Sequence, residues 1–582
     1  MEQNTNEKVE LMMLTFTKKD WIFCIALTLL YACIALTNVG SNKTPENGYT
    51  LKQGGAPAVI GFEQEEDIAQ IWVYSGISEG NLKVTSEDGQ ELDYEQKFGK
   101  MYRYADIGGD FHTKQLTFSS ESGDLEILEI VFWDAQGEQI RGYLAAGEPE
   151  AQNLLDESGH VPQRPTFTDG MYFDELYHAR TGYEYIHGME PYETVHPPLG
   201  KVLISFGIRM FGMNPFGWRI MGVMFGIFMV PVMYVFGKRL FKKSEYALLA
   251  SFLFTFDFMH YTQSRIATLD VFAVFFILLM FYFMYEYYTM DFYRDGLKKT
   301  LRPLALSGVF FAIGVAVKWI GIYAGAGLAV MFFTSLVQRY LKYRRLKIAG
   351  DETAQEMGRI FKKNAWILIG WCVIFFIALP IGVYLLAYIP YFNIGYDLKG
   401  IWDCQVTMYS YHSTLEATHP YQSLAIEWPY ILRPVWYFMG TFEPEGSVAT
   451  ISVMGNPAVW WICSTGSIAL IVALCLRKIK GNPAIFMSLV GIAANFVPWL
   501  LIRRCIFIYH FFATVPFILL ATVCLLFELE KKHPKLAWVK WAWMGLALAL
   551  FILFFPVISG VECSTAYSDA LEWLPGWTFR GV

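Results

Sequence analysis

The chain has 582 residues, of which 54% are hydrophobic and 17% charged, and its mean hydropathy is +0.33. This balance excludes an ordinary soluble globular protein. The net charge is −7, with the acidic excess largely in one stretch near the N-terminus, and no basic pattern typical of nucleic-acid binding is visible, so no nucleic-acid partner is expected. The apolar residues form long blocks, and the length of each block is close to the roughly 20 residues that a membrane-spanning helix needs. The composition predicts a polytopic α-helical membrane protein in contact with membrane lipids.

The first apolar block, residues 21–39, directly follows Lys18 and Lys19 and lacks a clear cleavage site of small residues. These features indicate an uncleaved anchor whose N-terminus lies in the cytoplasm. Residues 1–40 are therefore expected to form a cytoplasmic N-terminus and a first transmembrane helix.

Residues 41–165 differ in character from the rest of the chain. Short β-rich segments such as 71–74, 82–84, 115–118 and 127–132 alternate with turn signals, for example Asp88-Gly89. This spacing predicts a small antiparallel β-sandwich outside the membrane. It could bind glycan or acceptor, or it could serve packing or spacing.

Residues 166–582 return to long apolar blocks and are expected to form the membrane domain. With the first block there are about eleven spans by length. The segment 199–211 is short and contains Lys201 and Arg209, which predicts a helix in the outer interface. The ten further spans are predicted at 217–237, 247–261, 271–288, 303–318, 320–337, 365–388, 459–476, 484–501, 506–527 and 538–558.

Basic clusters predict which side of the membrane each loop faces. All of them fall on the side of Lys18 if 199–211 does not cross, so the active site and the C-terminus are expected to be extracytoplasmic in the cell membrane. The clusters lie at 238–243, 294–302, 339–347 with 362–363, 477–480 and 531–535.

A few cations fall instead at the outer ends of the predicted helices, among mostly external histidines. Any one of these cations could equally make ordinary contact with lipid headgroups. Several cations that converge on one face suggest instead a site for an anionic, lipid-borne group. These cations are Arg265, Lys318, Arg433, Arg503 and Arg504.

Cysteines and histidines show no spacing typical of a metal site. Only Cys404 and Cys563 fall in predicted external loops, where a disulfide could form.

Two motifs follow the β-rich region, one carrying an acidic pair and one a double proline. The first is Phe173-Asp174-Glu175-Leu176-Tyr177-His178, and the second is His196-Pro197-Pro198-Leu199-Gly200-Lys201. Paired carboxylates at an outer membrane surface are costly unless they are solvated or used. The alternative is a polar loop face with no chemistry.

These motifs and others in the same order resemble the protein O-mannosyltransferase family of the GT-C superfamily. In this sequence a β-rich region precedes the acidic pair, which departs from the family pattern. The loop 391–453 is too short for the β-trefoil domain of eukaryotic members, so the chain looks like the bacterial form. The further matching motifs are 263–267, 269–270, 318–319, 411–412, 417–421, 428–429, 433–434, 455–457, 509–510 and 556–577.

The resemblance implies an inverting glycosyltransferase. It would move mannose from a polyprenyl-phosphate-mannose donor to Ser or Thr hydroxyls of an exported protein. Asp174 would be the general base, because a hydroxyl nucleophile must lose its proton. Glu175 would shape the catalytic loop or contact sugar.

The remaining predicted site residues fall into two groups. Arg265 matches the family's phosphate-contacting arginine, and a planar guanidinium suits a phosphate. No cofactor and no divalent metal are expected. The other predicted donor contacts are Lys201, His196 and Arg433, and the predicted acceptor or active-site loop contacts are His412, Tyr411, His419 and Trp428.

Two alternatives remain open at the level of sequence. One keeps the fold and the lipid-linked donor but uses a lipid or surface glycan as acceptor. The other is a transporter or flippase of lipid-linked sugars, which should carry broken or ionisable positions near the bilayer midplane. The polar residues gather instead at the outer helix ends, which favours the enzyme.

Overall fold

The computed structural model describes residues 15–581. A helical part forms most of this chain, and a sheet-rich domain is inserted after the first helix. In chain order the helices are α1 Lys18–Leu36, α2 Glu175–His187, α3 Leu199–Phe211, α4 Pro215–Phe241, α5 Ser244–Thr255, α6 Phe258–Ser264, α7 Asp270–Thr289, α8 Phe292–Asp295, α9 Leu297–Val317, α10 Ile320–Ile348, α11 Ala354–Val373, α12 Leu379–Ala387, α13 Ile389–Asn393, α14 Leu398–Thr414, α15 Pro457–Cys475, α16 Pro483–Leu500, α17 Val515–Lys532, α18 Val539–Ser559 and α19 Thr565–Ala570.

Within residues 15–581, nine helices are long and apolar enough to cross a membrane. They are α1, α4, α7, α9, α10, the continuous run of α11 and α12, α15, α16, and α18 with the short helical turn before it. This agrees with the predicted multi-pass membrane protein.

The two other predicted blocks are helical as well. The block 247–261 is divided between α5 and α6 by a break at Phe256 and Asp257, and most of α5 is buried by neighbouring helices. The block 506–527 begins as a 3-10 turn, Ile508–Ala513, and α17 ends in charged residues. Protein rather than lipid surrounds both segments, so neither needs a long apolar surface.

The sequence determines where several of these helices begin. Thr17 caps α1 in a capping box, because its hydroxyl accepts from the Asp20 N–H at 3.3 Å and Asp20 accepts from the Thr17 N–H at 2.8 Å. Asn214 caps α4 at 2.8 Å from the Gly217 N–H, with Pro215 in the first turn. At 13 residues, α3 is too short to span, as predicted.

The basic clusters lie together at one end of the helical part. Ion pairs link helices there, at 2.8 Å between Lys238 and Asp20 and at 2.6 Å between Lys342 and Asp291. Asp174 lies at the opposite end, beside the N-terminus of α7 and the C-terminus of α9. The predicted grouping of loops by charge therefore matches the three-dimensional arrangement.

The inserted domain is an antiparallel β-sandwich of two five-stranded sheets. One sheet has the order β1-β8-β3-β6 with β9 beside β8, and the other has the order β10-β2-β7-β4-β5. The strands are β1 Tyr49–Leu51, β2 Ala58–Ile68, β3 Gln70–Ser75, β4 Gly80–Ser86, β5 Glu91–Gln96, β6 Tyr104–Asp106, β7 Phe111–Ser122, β8 Leu125–Trp133, β9 Gln139–Ile140 and β10 Tyr143–Ala146.

The sandwich has its own core and also packs on the helical part. Phe62 and Phe132 meet edge to face inside it, with ring centroids 5.1 Å apart. On the other face of the first sheet, Trp72 contacts Phe442 at 4.9 Å, and in the turn before β6 Tyr102 contacts Trp218 of α4 at 6.3 Å. This contact fits the packing role that we weighed for the domain.

The two cysteines predicted in external loops are both free thiols. Cys404 is buried in α14 and Cys563 is half-buried in a short strand near the C-terminus.

Candidate active site

A strained turn presents the acidic pair. Phe173 has φ of 50°, in the left-handed region that side chains rarely adopt. Its ring stacks on Tyr437 with centroids 3.9 Å apart and meets Tyr509 edge-on at 6.2 Å. These aromatic contacts hold a backbone conformation that would otherwise be unfavourable, and they position the next residue, Asp174.

Asp174 precedes the first turn of α2 but does not cap it. Its carboxylate accepts no hydrogen bond from residues 15–581, although Asp is one of the preferred N-cap residues. Burial raises the pKa of Asp174 to about 7; the charge of Lys318 opposes this shift, and Asp270 and Glu193 add to it. A carboxyl group with this pKa can take up a proton near neutral pH.

Lys318 and Asp270 form an ion pair beside Asp174. The Lys318 ammonium lies 2.8 Å and 2.9 Å from the two Asp270 carboxylate oxygens, and both side chains are largely buried. Asp270 is the first residue of α7, where the helix dipole favours a negative charge. The pair holds the Lys318 ammonium close to Asp174, but that ammonium forms its ion pair with Asp270 and leaves the Asp174 carboxylate unpaired.

Lys318 of this ion pair lines one cavity, and a second cavity adjoins the first. The first, of about 290 Å³, is lined by residues that include His196, Lys318, Trp319, His412, Arg504 and His510. The second, of about 610 Å³, is lined by residues that include Ser413, Glu416, Glu427, Arg433, Arg503 and Arg504. Ser413 and Arg504 line both cavities, so the two spaces are neighbours.

Arg504 is the cation best placed to bind an anion in this region. It is half-buried, and its guanidinium forms no hydrogen bond or ion pair with any residue between 15 and 581. An unpaired guanidinium offers its donors to a planar or tetrahedral oxyanion. Arg503 lines only the second cavity and is exposed.

The histidines of the first cavity are neutral near pH 7. Burial lowers the pKa of His412 to about 4. Burial also lowers the pKa of His196, although the negative charge of Glu193 opposes this shift. His412 Nε2 lies 2.8 Å from the Val195 carbonyl, which requires a hydrogen on that nitrogen and leaves Nδ1 as an acceptor. The rings of His196 and His412 are 5.3 Å apart.

Glu175 is fully buried and faces away from the cavities. It binds Arg219 through two hydrogen bonds of 2.7 Å and also accepts from the backbone N–H groups of Tyr172 and Ala267. Of the two predicted roles, this position fits loop shaping. It leaves no surface for contact with sugar, and we revise that part of the prediction.

Lys201 is buried as well. Its ammonium donates to the Glu193 carboxylate, to the Glu193 carbonyl at 2.8 Å and to the His196 carbonyl at 3.0 Å. The predicted donor contact by Lys201 is therefore replaced by a structural one. Lys201 holds the loop that carries His196, and His196 itself reaches the first cavity.

Arg265 does not reach the cavities either. Its guanidinium donates to the carbonyls of Ala35 and Thr37 at 2.6 Å and of Asn38 at 2.7 Å. These carbonyls end α1, where a cation is favourable because the terminal carbonyls lack partners within the helix. The predicted phosphate contact is thus corrected, since the donors of Arg265 are occupied at another helix terminus.

Of the other predicted site residues, only Arg433, which was predicted as a donor contact, lines the second cavity. Arg433 donates to the Pro420 carbonyl at 2.9 Å. Tyr411 is exposed next to His412, and His419 is exposed and accepts from the Tyr421 N–H at 3.2 Å. Trp428 is fully buried and donates to the Ser423 hydroxyl at 3.0 Å, so it supports the loop from inside and cannot touch a substrate.

Two family models match consecutive parts of this chain. The model described as dolichyl-phosphate-mannose-protein mannosyltransferase matches residues 211–396, and the one described as the C-terminal four TMM region of protein-O-mannosyltransferase matches residues 397–577. Together they cover more than half of the sequence. The chain belongs to the protein O-mannosyltransferase family. It is therefore a membrane glycosyltransferase, as the motifs predicted.

Two mycobacterial proteins are among the curated relatives in this mannosyltransferase family. A polyprenol-phosphate-mannose–protein mannosyltransferase of Mycolicibacterium smegmatis is 27% identical over 71% of this chain and 89% of its own length. The protein of the same name from Mycobacterium tuberculosis is 25% identical over 70% of this chain and 86% of its own length.

The fold agrees with a solved structure of the same family. The protein O-mannosyltransferase complex of Saccharomyces cerevisiae, bound to the sugar donor, superimposes with a TM-score of 0.58 and 15% identity. The match covers 70% of this chain and 89% of the yeast chain. At this identity the likeness supports the GT-C fold and no residue role.

The site of this mannosyltransferase includes residues that are not among the individually predicted catalytic, donor-binding and acceptor residues. The sequence places Lys318 and Arg504 among the outer cations that suggest an anion site and Asp270 in a family motif, without an individual role for any of the three. The available signal was position, because each lies next to the outer end of a predicted apolar block. Asp174 itself precedes the first matched range, so its role is argued from geometry.

Within residues 15–581, no group of three or more His, Cys, Asp or Glu side chains is arranged to hold a metal ion. Independence from metal remains a prediction.

Proposed function

We propose that this enzyme transfers mannose from polyprenyl-phosphate-mannose to Ser or Thr hydroxyls of exported proteins, with inversion at the anomeric carbon. The names of the mycobacterial relatives support the donor and the protein acceptor. One observation carries the proposal: the unpaired carboxylate of Asp174, whose pKa is raised to about 7, interacts with the charge of Lys318, and Lys318 lines a cavity together with the unpaired Arg504.

The proposed step is a single displacement. Asp174 takes the proton of the acceptor hydroxyl while the hydroxyl oxygen forms a bond to the anomeric carbon of mannose. The bond from that carbon to the phosphate oxygen breaks, and the electron pair leaves with the polyprenyl phosphate. Attack from the face opposite the leaving group inverts the configuration.

Arg504 is proposed to bind the donor phosphate in the first cavity. The phosphate gains negative charge as the glycosidic bond breaks, and a fixed guanidinium stabilises that charge. Lys318 lies in the same cavity, although Asp270 already holds its ammonium. Its role is to hold positive charge near Asp174 and the departing phosphate, and no metal is needed in this scheme.

The second cavity is proposed to receive the acceptor segment. It adjoins the first cavity through Ser413 and Arg504, and polar loop residues line it. A hydroxyl held there can approach the first cavity without passing through lipid. This arrangement requires that the N-terminus is cytoplasmic and that Asp174 faces the extracytoplasmic side, in line with the basic clusters at the opposite end.

The test uses purified full-length protein with labelled polyprenyl-phosphate-mannose and three acceptors: a Ser/Thr peptide, the same peptide with every Ser and Thr changed to Ala, and a surface glycan. Mass spectrometry identifies the product. We expect mannose on the first peptide alone, with an unchanged rate in excess chelator. Transfer only to the glycan would replace the proposed acceptor, and loss of activity on chelation would contradict metal independence.

A further inference from the structure

A third cavity lies at the end of the helices opposite the active site. It has a volume of about 650 Å³ and is lined by the C-terminal end of α7, the C-terminal half of α10 and the N-terminus of α16. On α10, Tyr323 lines the active-site cavity and Gln338 lines this one. Fifteen residues of helix place them about 22 Å apart along the axis. The two cavities are therefore near opposite faces of the membrane.

Arg339 places a buried positive charge in this cavity. The side chain is only 4% exposed, and among the described residues its guanidinium pairs with no carboxylate. Its hydrogen bonds go to neutral oxygens, at 2.7 Å to the Tyr287 hydroxyl and at 2.9 Å to the Met290 carbonyl. The carbonyls at the end of α7 and the rings of Tyr287 and Phe292, which lie 4.7 Å and 4.9 Å from the guanidinium, offset part of the cost of burying this cation. Its charge still has no counterion among the described residues, and an anion in the cavity would supply one.

The other charges of the cavity cancel. Lys342 lies 2.6 Å from Asp291, so the lining carries one uncompensated positive charge. Gln338 and the N-terminal end of α16, which begins after the cap Asn482, add polar groups. One net positive charge matches a phosphodiester, which carries one negative charge, better than a phosphate monoester.

The surroundings of the cavity are apolar, as a lipid ligand requires. Leu474, Phe486 and Leu489 line it, and Phe333 and Val337 on the neighbouring surface of α10 are 58% and 55% exposed. A ligand with its phosphate near Arg339 could lay its acyl chains along these side chains. Basic pockets between helices at a membrane face are typical sites for phospholipid headgroups.

We propose that this cavity binds the phosphodiester headgroup of an anionic phospholipid, in the leaflet opposite the active site. The site is separate from the donor site and does not depend on the proposed sugar transfer. The bound lipid would bridge α7, α10 and α16, three helices that also reach the catalytic end. It would therefore stabilise the helical arrangement that supports the active site.

The test is lipid binding to purified full-length protein in detergent, measured by native mass spectrometry and by the shift in melting temperature. The probes are phosphatidylglycerol, diacylglycerol as its phosphate-free analogue, and polyprenyl phosphate. In wild type we expect phosphatidylglycerol to bind and stabilise, and diacylglycerol to do neither. Polyprenyl phosphate should bind only in the active site and should not displace phosphatidylglycerol.

Variants locate the site. Arg339→Gln should weaken phosphatidylglycerol binding at least about tenfold, as expected for a lost charge-assisted contact. Thr334→Phe fills the cavity and leaves Arg339 unchanged, and it should weaken phosphatidylglycerol binding to a similar degree. This second variant tests the site even if Arg339→Gln does not fold. Arg344→Gln removes an exposed cation of the same helix that does not line the cavity, and its affinity should stay within about twofold of wild type.

Three results would overturn the proposal. They are equal binding of phosphatidylglycerol and diacylglycerol, unchanged binding in Thr334→Phe, and displacement of phosphatidylglycerol by polyprenyl phosphate.

Discussion

Glu175 binds Arg219 through two hydrogen bonds of 2.7 Å, and neither side chain reaches solvent. The adjacent Asp174 has no hydrogen-bond partner for its carboxylate among residues 15–581. Two neighbouring carboxylates thus occupy opposite environments, one paired and structural, the other unpaired and close to the charge of Lys318. This contrast separates the effects of substituting them.

Glu175→Gln should destabilise the fold. The substitution removes the charge partner of a fully buried guanidinium, and loss of one partner of a buried pair typically costs about 3–5 kcal/mol. We expect a clear fall in the melting temperature of the purified protein. Glu427→Gln, which changes a half-buried glutamate of the second cavity, serves as the comparison. An unchanged melting temperature in Glu175→Gln would contradict the structural role of the pair.

Arg265→Ala should act on stability and leave the donor site intact. The guanidinium holds three carbonyls at the end of α1, and Lys cannot reach all three from one ammonium. Both Arg265→Ala and Arg265→Lys should therefore lower the melting temperature. Donor affinity measured on the folded fraction should match wild type. A large loss of donor affinity with normal stability would restore Arg265 as a phosphate ligand.

Arg504→Ala should weaken donor binding. Its guanidinium is unpaired in the first cavity, and a charge-assisted contact is worth about 1.5–3 kcal/mol, or roughly 10- to 150-fold in affinity. Arg503→Ala is the matched control, because Arg503 is adjacent but lines only the second cavity. Isothermal titration with a soluble short-chain donor gives both affinities. Equal affinities in the two variants would remove Arg504 from the phosphate site.

The rate should depend on pH through Asp174. Because burial raises its pKa to about 7, the carboxylate that accepts a proton is depleted below that pH. We expect kcat/KM to rise about tenfold per pH unit up to pH 7 and then level off. His412, with a pKa of about 4, stays neutral throughout and cannot produce this limb. A profile that is flat from pH 5 to 8 would contradict the assignment.

The titration of Asp174 should also affect the stability of the fold, which should fall over the pH range in which the rate rises. The folded-state pKa of Asp174 lies above its ordinary value, so protonation stabilises the folded state at low pH and this contribution is lost as pH rises toward 7. Asp174→Asn removes the cost of the buried charge. Its melting temperature should exceed that of wild type more at pH 8 than at pH 5. A gain that is independent of pH would indicate a different cause.

Much of the fold was predictable because it follows from local pattern. Apolar blocks predicted the helices, alternating strands and turns predicted the sandwich, and basic clusters predicted which helix ends lie together. The sequence pattern does not show the helix breaks within the blocks 247–261 and 506–527. Asp257 interrupts the helix between α5 and α6 at a place where neighbouring helices, and not lipid, surround the chain.

The site was harder to predict, because side-chain partners depend on tertiary contacts. Arg265 lies at a helix end, as its sequence position indicated, but the oxygens that it meets belong to α1, some 230 positions earlier. The sequence indicates that Lys201 is a cation near the outer surface, but in the fold its side chain is buried and its ammonium is paired with Glu193. Only the three-dimensional arrangement distinguishes such occupied cations from Arg504, which keeps its donors free.

The general-base role of Asp174 is tested most directly by the initial rate of mannosyl transfer in Asp174→Asn. Asn keeps the shape of the side chain but cannot accept the proton, so the rate should fall about 10²- to 10⁴-fold. Donor affinity should stay at the wild-type value, because the proposed phosphate contact is made by Arg504 and not by Asp174. Asp403→Asn, an exposed change on α14, should leave both quantities unchanged. A fully active Asp174→Asn enzyme would contradict the proposed mechanism.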